Sequence, residues 1–162
     1  MAGGDRDAFA ELYDRHANPL CGHALALGRS PEEAEDLVQG VFVKVAAMGA
    51  QLLGVRRPGA YLHRMLRAAF LDRERHRTVA GEVPLADADR ANTSGISQAD
   101  RLALDAALAA LPVEQREVVV LHLVEGLTFR EVGAATGASV WTAASRYRLG
   151  MYRLRGILGA DR

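Results

Sequence analysis

A single cysteine, Cys21, stands among the 162 residues, so no disulfide can close within the chain and a cytoplasmic location is expected. No apolar run approaches the roughly 20 residues of a membrane span, and the N-terminus carries no charged-then-apolar leader. Neither membrane insertion nor a signal peptide is therefore expected. Runs alternating apolar and polar residues between turn signals are missing, which leaves an all-α chain. Nucleophile–base pairs, phosphate-cradling glycine loops and metal-ligand clusters are missing as well, so the reading has no catalytic residue, no cofactor and no enzyme. His16 and His23 would share a helix face near Cys21, but a fourth ligand and any CxxC pairing are lacking.

An excess of one charge sign is also absent. Twenty basic residues balance twenty acidic ones, and all but Lys44 of the basic set are arginine. A zero sum does not exclude a nucleic-acid partner, because the local field at the contact surface matters more than the total. The charge is in fact segregated. Residues 56–77 hold seven arginines against Asp72 and Glu74, residues 78–100 are net acidic, and residues 141–155 hold four arginines and no acid.

Helix signals fall into two groups. Asp7 to Leu27 carries Phe9, Leu12, Tyr13, Leu20 and Ala24 at helical spacing, and Gly28 closes it. Ser30-Pro31-Glu32-Glu33 is a helix start, followed by Ala34, Leu37, Val38, Val41, Phe42 and Val45 on one side. Pro58 opens a third helix, with Leu62, Met65, Leu66 and Ala69 inside and Arg64, Arg67 and Arg75 outside. Residues 78–97 contain glycine, proline and small polar residues without an apolar period, which reads as a flexible linker. Beyond it come helices over 98–111 and 112–124. The expected organisation is two small helical domains, 1–77 and 98–162, on a tether.

The most telling stretch runs from Leu127 to Leu158. Thr128 can cap a short helix bearing Phe129, Val132 and Ala135, and Gly137 ends it. Ser139 can cap a second helix with Val140, Ala143, Tyr147, Met151, Leu154 and Leu158 inside. Its outer face presents Thr142, Ser145, Arg146, Arg148, Arg153 and Arg155. A short helix, a glycine turn and a basic helix form the pattern of a helix-turn-helix, whose second helix enters a major groove.

With these features in hand, the chain resembles the extracytoplasmic-function sigma factors of bacterial RNA polymerase. The resemblance rests on Phe9-Ala-Glu-Leu-Tyr-Asp-Arg-His16, Ala34-Glu-Asp-Leu-Val-Gln39 with Val41-Phe42, and Tyr61-Leu-His-Arg64 with Asp72. In the second half it rests on Leu111-Pro112, Arg116-Glu117-Val118, Glu125-Gly126-Leu127-Thr128, Glu131-Val132, Gly137, Ser139, Thr142 and Ser145-Arg146. The resemblance implies a region-2-like domain at 1–77, which binds core polymerase and melts the minus-ten element. It implies a region-4-like domain at 98–162, which reads the minus-thirty-five element. Asp36, Gln39 and Phe42 would serve the polymerase contact, and Tyr61, Arg64, Arg67 and Arg75 the minus-ten strand. Thr142, Ser145, Arg146, Arg148 and Arg153 would serve the minus-thirty-five duplex. The implied partners are core RNA polymerase, promoter DNA and an anti-sigma factor that occludes both domains.

Four positions depart from the family pattern. Gly40 stands where an acid is common, Ala68 where asparagine is, Ala144 where lysine is, and Trp141 replaces a small residue. They leave two readings: a sigma factor with altered promoter preference, or a sigma-like interaction protein that binds polymerase or a regulator with weakened DNA specificity. A third, a one-domain DNA regulator with a sensing N-terminal bundle, fits the Asp36-to-Gln39 segment poorly.

Overall fold

Local chemistry sets the helix boundaries of the front half. The computed structural model describes residues 2–80 and 97–160. Helix α1 runs Ala2–Ala26 and ends ahead of Gly28, whose φ of 86° lies in the left-handed region. Helix α2, Pro31–Met48, starts where the Ser30 hydroxyl accepts a bond from the Glu33 N–H at 3.3 Å, with proline at the first position. A 3-10 turn, Gly49–Gly54, leads to α3, Pro58–Ala80. Leu20, Leu37, Val41, Leu62 and Leu66 are fully buried between these three helices. Helix occupies residues 78–80, at the start of the stretch expected to be linker. The remainder of that stretch, 81–96, lies outside the described residues.

The second half begins with α4, Gln98–Ala109, capped by the Ser97 hydroxyl. Helix α5, Val113–Val119, widens into π-type turns over Val120–Val124, where the Glu125 N–H reaches back to the Val120 carbonyl at 3.0 Å. Helices α6, Phe129–Thr136, and α7, Val140–Ala160, complete it. Val118, Val119, Leu121, Val132, Ala143 and Leu154 are buried among α4 to α7. Two positions differ from the periodicity: Tyr13 and Val140, both placed on apolar faces, are 42% and 43% exposed.

The halves have separate cores, yet they touch. Helix α3 lies against α6, and α1 lies against α5 and its π-type extension. The expected picture of two pieces on a tether therefore lacks one feature, an interface between them. No helix among the described residues is long and apolar enough to cross a membrane.

Candidate nucleic-acid interface

The helix-turn-helix is fixed from its caps inward. The Thr128 hydroxyl accepts the Glu131 N–H at 3.1 Å, and the Glu131 carboxylate accepts the Thr128 N–H at 3.3 Å, a reciprocal capping box. Gly137 closes α6 at φ 75°. Gly133 is required by proximity: a β-carbon there would sit 2.7 Å from the Ala138 carbonyl oxygen, so the turn passes directly over α6. The Ser139 hydroxyl accepts the Thr142 N–H at 3.1 Å and starts α7. His122 stacks on Phe129 at 4.0 Å, and Tyr147 meets both edge-on, which sets the angle between α6 and α7.

Helix α7 then presents one solvent-facing side. Ser145, Arg148, Arg153 and Arg155 are exposed, while Thr142 and Arg146 are half-buried. Trp141 is 84% exposed and Tyr152 is 79% exposed, on the same flank as Arg148. Arg148 donates to the Ser145 hydroxyl at 3.3 Å. Arg146, Arg148, Arg153 and Arg155 have no carboxylate partner among the described residues. Such a side can neutralise phosphate and present donors to base edges.

Helix α3 is differently arranged. Arg64 is exposed, with no carboxylate partner among the described residues. Arg75 pairs with Asp72, and Arg77 pairs with Glu33. Burial raises the Glu33 carboxyl pKa, but the nearby Arg77 and Arg29 guanidiniums outweigh it, and the net result is below the usual value. Tyr61 is half-buried, its hydroxyl 3.8 Å from the Met48 sulfur. Arg67 turns inward, its Nε donating to Glu117 at 2.9 Å. In this arrangement Arg67 is occupied by a carboxylate rather than open to phosphate.

On α2, Asp36 and Gln39 are exposed side by side, and Phe42 lies beneath them against the rings of Phe9 and Tyr13. Phe42 is thus a support, and the outward face belongs to Asp36 and Gln39.

The residues not foreseen are those where the halves meet. Glu117 accepts from Arg67 and, at 2.9 Å, from His23 Nε2; His23 Nδ1 lies 3.1 Å from His63 Nδ1. Because the carboxylate only accepts, His23 carries a proton on Nε2. His63 is held neutral: burial, then His23 and His16, push its pKa down to about 3. Around this network Arg57 bridges Glu131 at 2.8 Å, and Arg116 donates to the Ala26 carbonyl at 3.1 Å. A cleft of about 320 Å³ lies alongside, lined by His16, Arg57, His63, Glu125 and Glu131 among others. The signal in the sequence was Glu117 itself, an acid at a core register three and four residues before Val120 and Leu121.

Comparison with known proteins agrees with this geometry. Residues 12–79 match the Sigma-70 region 2 family, and residues 101–154 match Sigma-70, region 4. The chain is 35% identical to the extracytoplasmic-function sigma factor SigE of Mycolicibacterium smegmatis, over 97% of this chain and 65% of that protein, just under two thirds of its length. It is 32% identical to SigM of Mycobacterium tuberculosis, over 96% of this chain and 80% of that protein. For CarQ of Myxococcus xanthus the identity is 33%, over 96% and 92%. Among solved structures, the sigma factor RpoE bound to the anti-sigma factor NepR, from Bartonella quintana, aligns with a TM-score of 0.80 at 26% identity, covering 96% of this chain and 99% of that one. CnrH, in complex with the cytosolic domain of CnrY, aligns with a TM-score of 0.68 at 27% identity, over 99% and 94%. Regions 2 and 4 in this order define the class as a bacterial sigma factor. The chain belongs to the extracytoplasmic-function family of these factors, which direct RNA polymerase to promoters.

Proposed function

We propose that this chain is a non-enzymatic initiation factor of the cytoplasm that binds core RNA polymerase, directs it to specific promoters and aids their melting. The minus-thirty-five duplex is read by α7, with Arg146, Arg148 and Thr142 toward base edges and Ser145 and Arg153 toward phosphate. The minus-ten strand is held by α3, through Arg64, Arg67, Arg75 and Tyr61. Polymerase is met by Asp36 and Gln39 over the Phe42 support. An anti-sigma factor is the expected antagonist. The observation that carries this reading is the acid-free outer side of α7, held on a fixed helix-turn-helix. Run-off transcription with core polymerase on a random promoter library tests it: transcripts sharing an upstream motif support it, and polymerase binding without initiation contradicts it. That second outcome is what a sigma-like adaptor would give, and the exposure of Gly40 and Ala68, which remove polar groups from outward faces, favours that alternative.

A further inference from the structure

The one tryptophan of the chain, Trp141, stands in the first turn of α7. At 84% exposure it is the most exposed large hydrophobic side chain among the described residues. An indole removes about 200 Å² from water when it is covered, so the free fold gains almost nothing from having it here. Its neighbours one turn on, Ala144 and Ser145, are too small to cover it. Arg148 lies two turns on, on the same side, and donates to the Ser145 hydroxyl at 3.3 Å. The stripe thus runs from an apolar ring through a hydroxyl to a guanidinium with no carboxylate partner among the described residues.

The surroundings name the occupant. An acid-free flank of arginines draws a polyanion, and a helix on such a flank reads a duplex with its N-terminal residues. Tyr152 is also exposed, but it lies about 16 Å further along the helix axis, which leaves Trp141 as the ring over base edges. An indole offers a broad apolar face and one N–H donor, and it accepts nothing. In the major groove, thymine alone of the four bases presents an apolar group, the C5-methyl. An uncovered ring at this place therefore matches thymine better than any other base.

We propose that Trp141 is a specificity-determining residue of α7, its indole covering the C5-methyl of a thymine in the major groove of the upstream duplex. This rests on the reading of α7 as the minus-thirty-five helix. Arg148, by contrast, supplies affinity beside that contact.

The test uses the full chain in complex with core polymerase. The complex first selects duplexes from a library randomised across the upstream element. Each thymine of the selected element is then replaced singly by deoxyuridine, which removes only the methyl group. Binding is measured for the parent chain, Trp141→Ala, Trp141→Phe and Arg148→Ala. In the parent, uridine at one position should weaken binding about fourfold, the effect expected of one buried methyl. Trp141→Ala should weaken binding to the thymine duplex at least as much, and should make thymine and uridine equivalent at that position. Trp141→Phe keeps an apolar ring without the N–H and should retain the preference for thymine. Arg148→Ala should weaken binding to both duplexes and preserve the fourfold difference.

A selected element without thymine, or one whose thymines are insensitive to loss of the methyl, overturns the assignment. So does a uridine effect that survives in Trp141→Ala, or a loss in Trp141→Ala that is equal for thymine and uridine duplexes. If Arg148→Ala weakens binding and Trp141→Ala does not, the role of Trp141 alone has failed. If both variants bind as the parent does, the reading of α7 has failed with it.

Discussion

The two arginine-rich helices carry similar sequence signals and very different surfaces. On α7 Arg148, Arg153 and Arg155 face outward and Arg146 is half-buried, none with a carboxylate partner among the described residues. On α3, Arg67, Arg75 and Arg77 are tied to Glu117, Asp72 and Glu33, and Arg64 is left open. Charge along a sequence therefore gives the sign of a surface, while availability depends on what packs against it. The pairs on α3 also differ in worth. The exposed Arg75–Asp72 pair contributes little, whereas in the Arg67–Glu117 pair the carboxylate is buried, so its rupture is felt.

The largest way to break the comparison is to damage the support of α7 alone. In Gly133→Ala the new β-carbon meets the Ala138 backbone oxygen at 2.7 Å, and backbone cannot yield as a flexible side chain would. The variant should lose about 2–3 kcal/mol in chemical denaturation and lose duplex binding. A variant as stable as the parent would show that the turn does not fix α7.

Acid should act on the contact between the halves. His63 has a pKa lowered to about 3 from 6.5; it faces His16 and His23 of α1 and the cleft carrying Arg57, Glu125 and Glu131, with Glu117 of α5 on the far side of His23. Parting the halves relieves part of that burial while His23 and His16 stay beside the ring, so its pKa rises and the open form binds a proton more readily. The contact is thus at full strength above pH 6.5 and weakens as the pH falls below it. Small-angle scattering at pH 7.5 and 5.5 checks this. Expansion at the lower pH is expected, and it should be absent in His63→Asn.

The smallest effect sharpens the contrast with Gly133. Gly40 is exposed on the outer side of α2, and a β-carbon there would meet nothing within 4 Å. Gly40→Ala should stabilise the chain by about 1 kcal/mol, read as a rise of a few degrees in the melting temperature. A fall would mean that the position is constrained in a way the helix does not reveal.

What was legible in the sequence was local. Ser30, the Thr128–Glu131 box and Gly137 act within three or four residues, so they announce helix ends wherever the rest of the chain lies. The core followed from periodicity, and it slipped at Tyr13 and Val140, which the structure leaves 42% and 43% exposed. The outward face of α7 was legible for the same reason, as the side opposite Ala143 and Leu154. The Glu117 network was not. It joins His23, His63 and Arg67 across 94, 40 and 50 positions, and no local pattern encodes which half packs on which. The outward register of Arg67 on α3 accordingly says nothing of Glu117, the carboxylate it meets.

The most direct test of the difference between the two helices is a salt titration of the full chain on a duplex minus-thirty-five site, comparing Arg148→Ala with Arg67→Ala. Each phosphate contact contributes about 0.9 to the slope of log affinity against log salt concentration. Arg148→Ala should weaken duplex binding and, if its partner is phosphate, flatten the slope by that amount. Arg67→Ala should leave both unchanged. Equal losses from the two variants, or none from Arg148→Ala, would contradict an open reading surface on α7 set against an occupied one on α3.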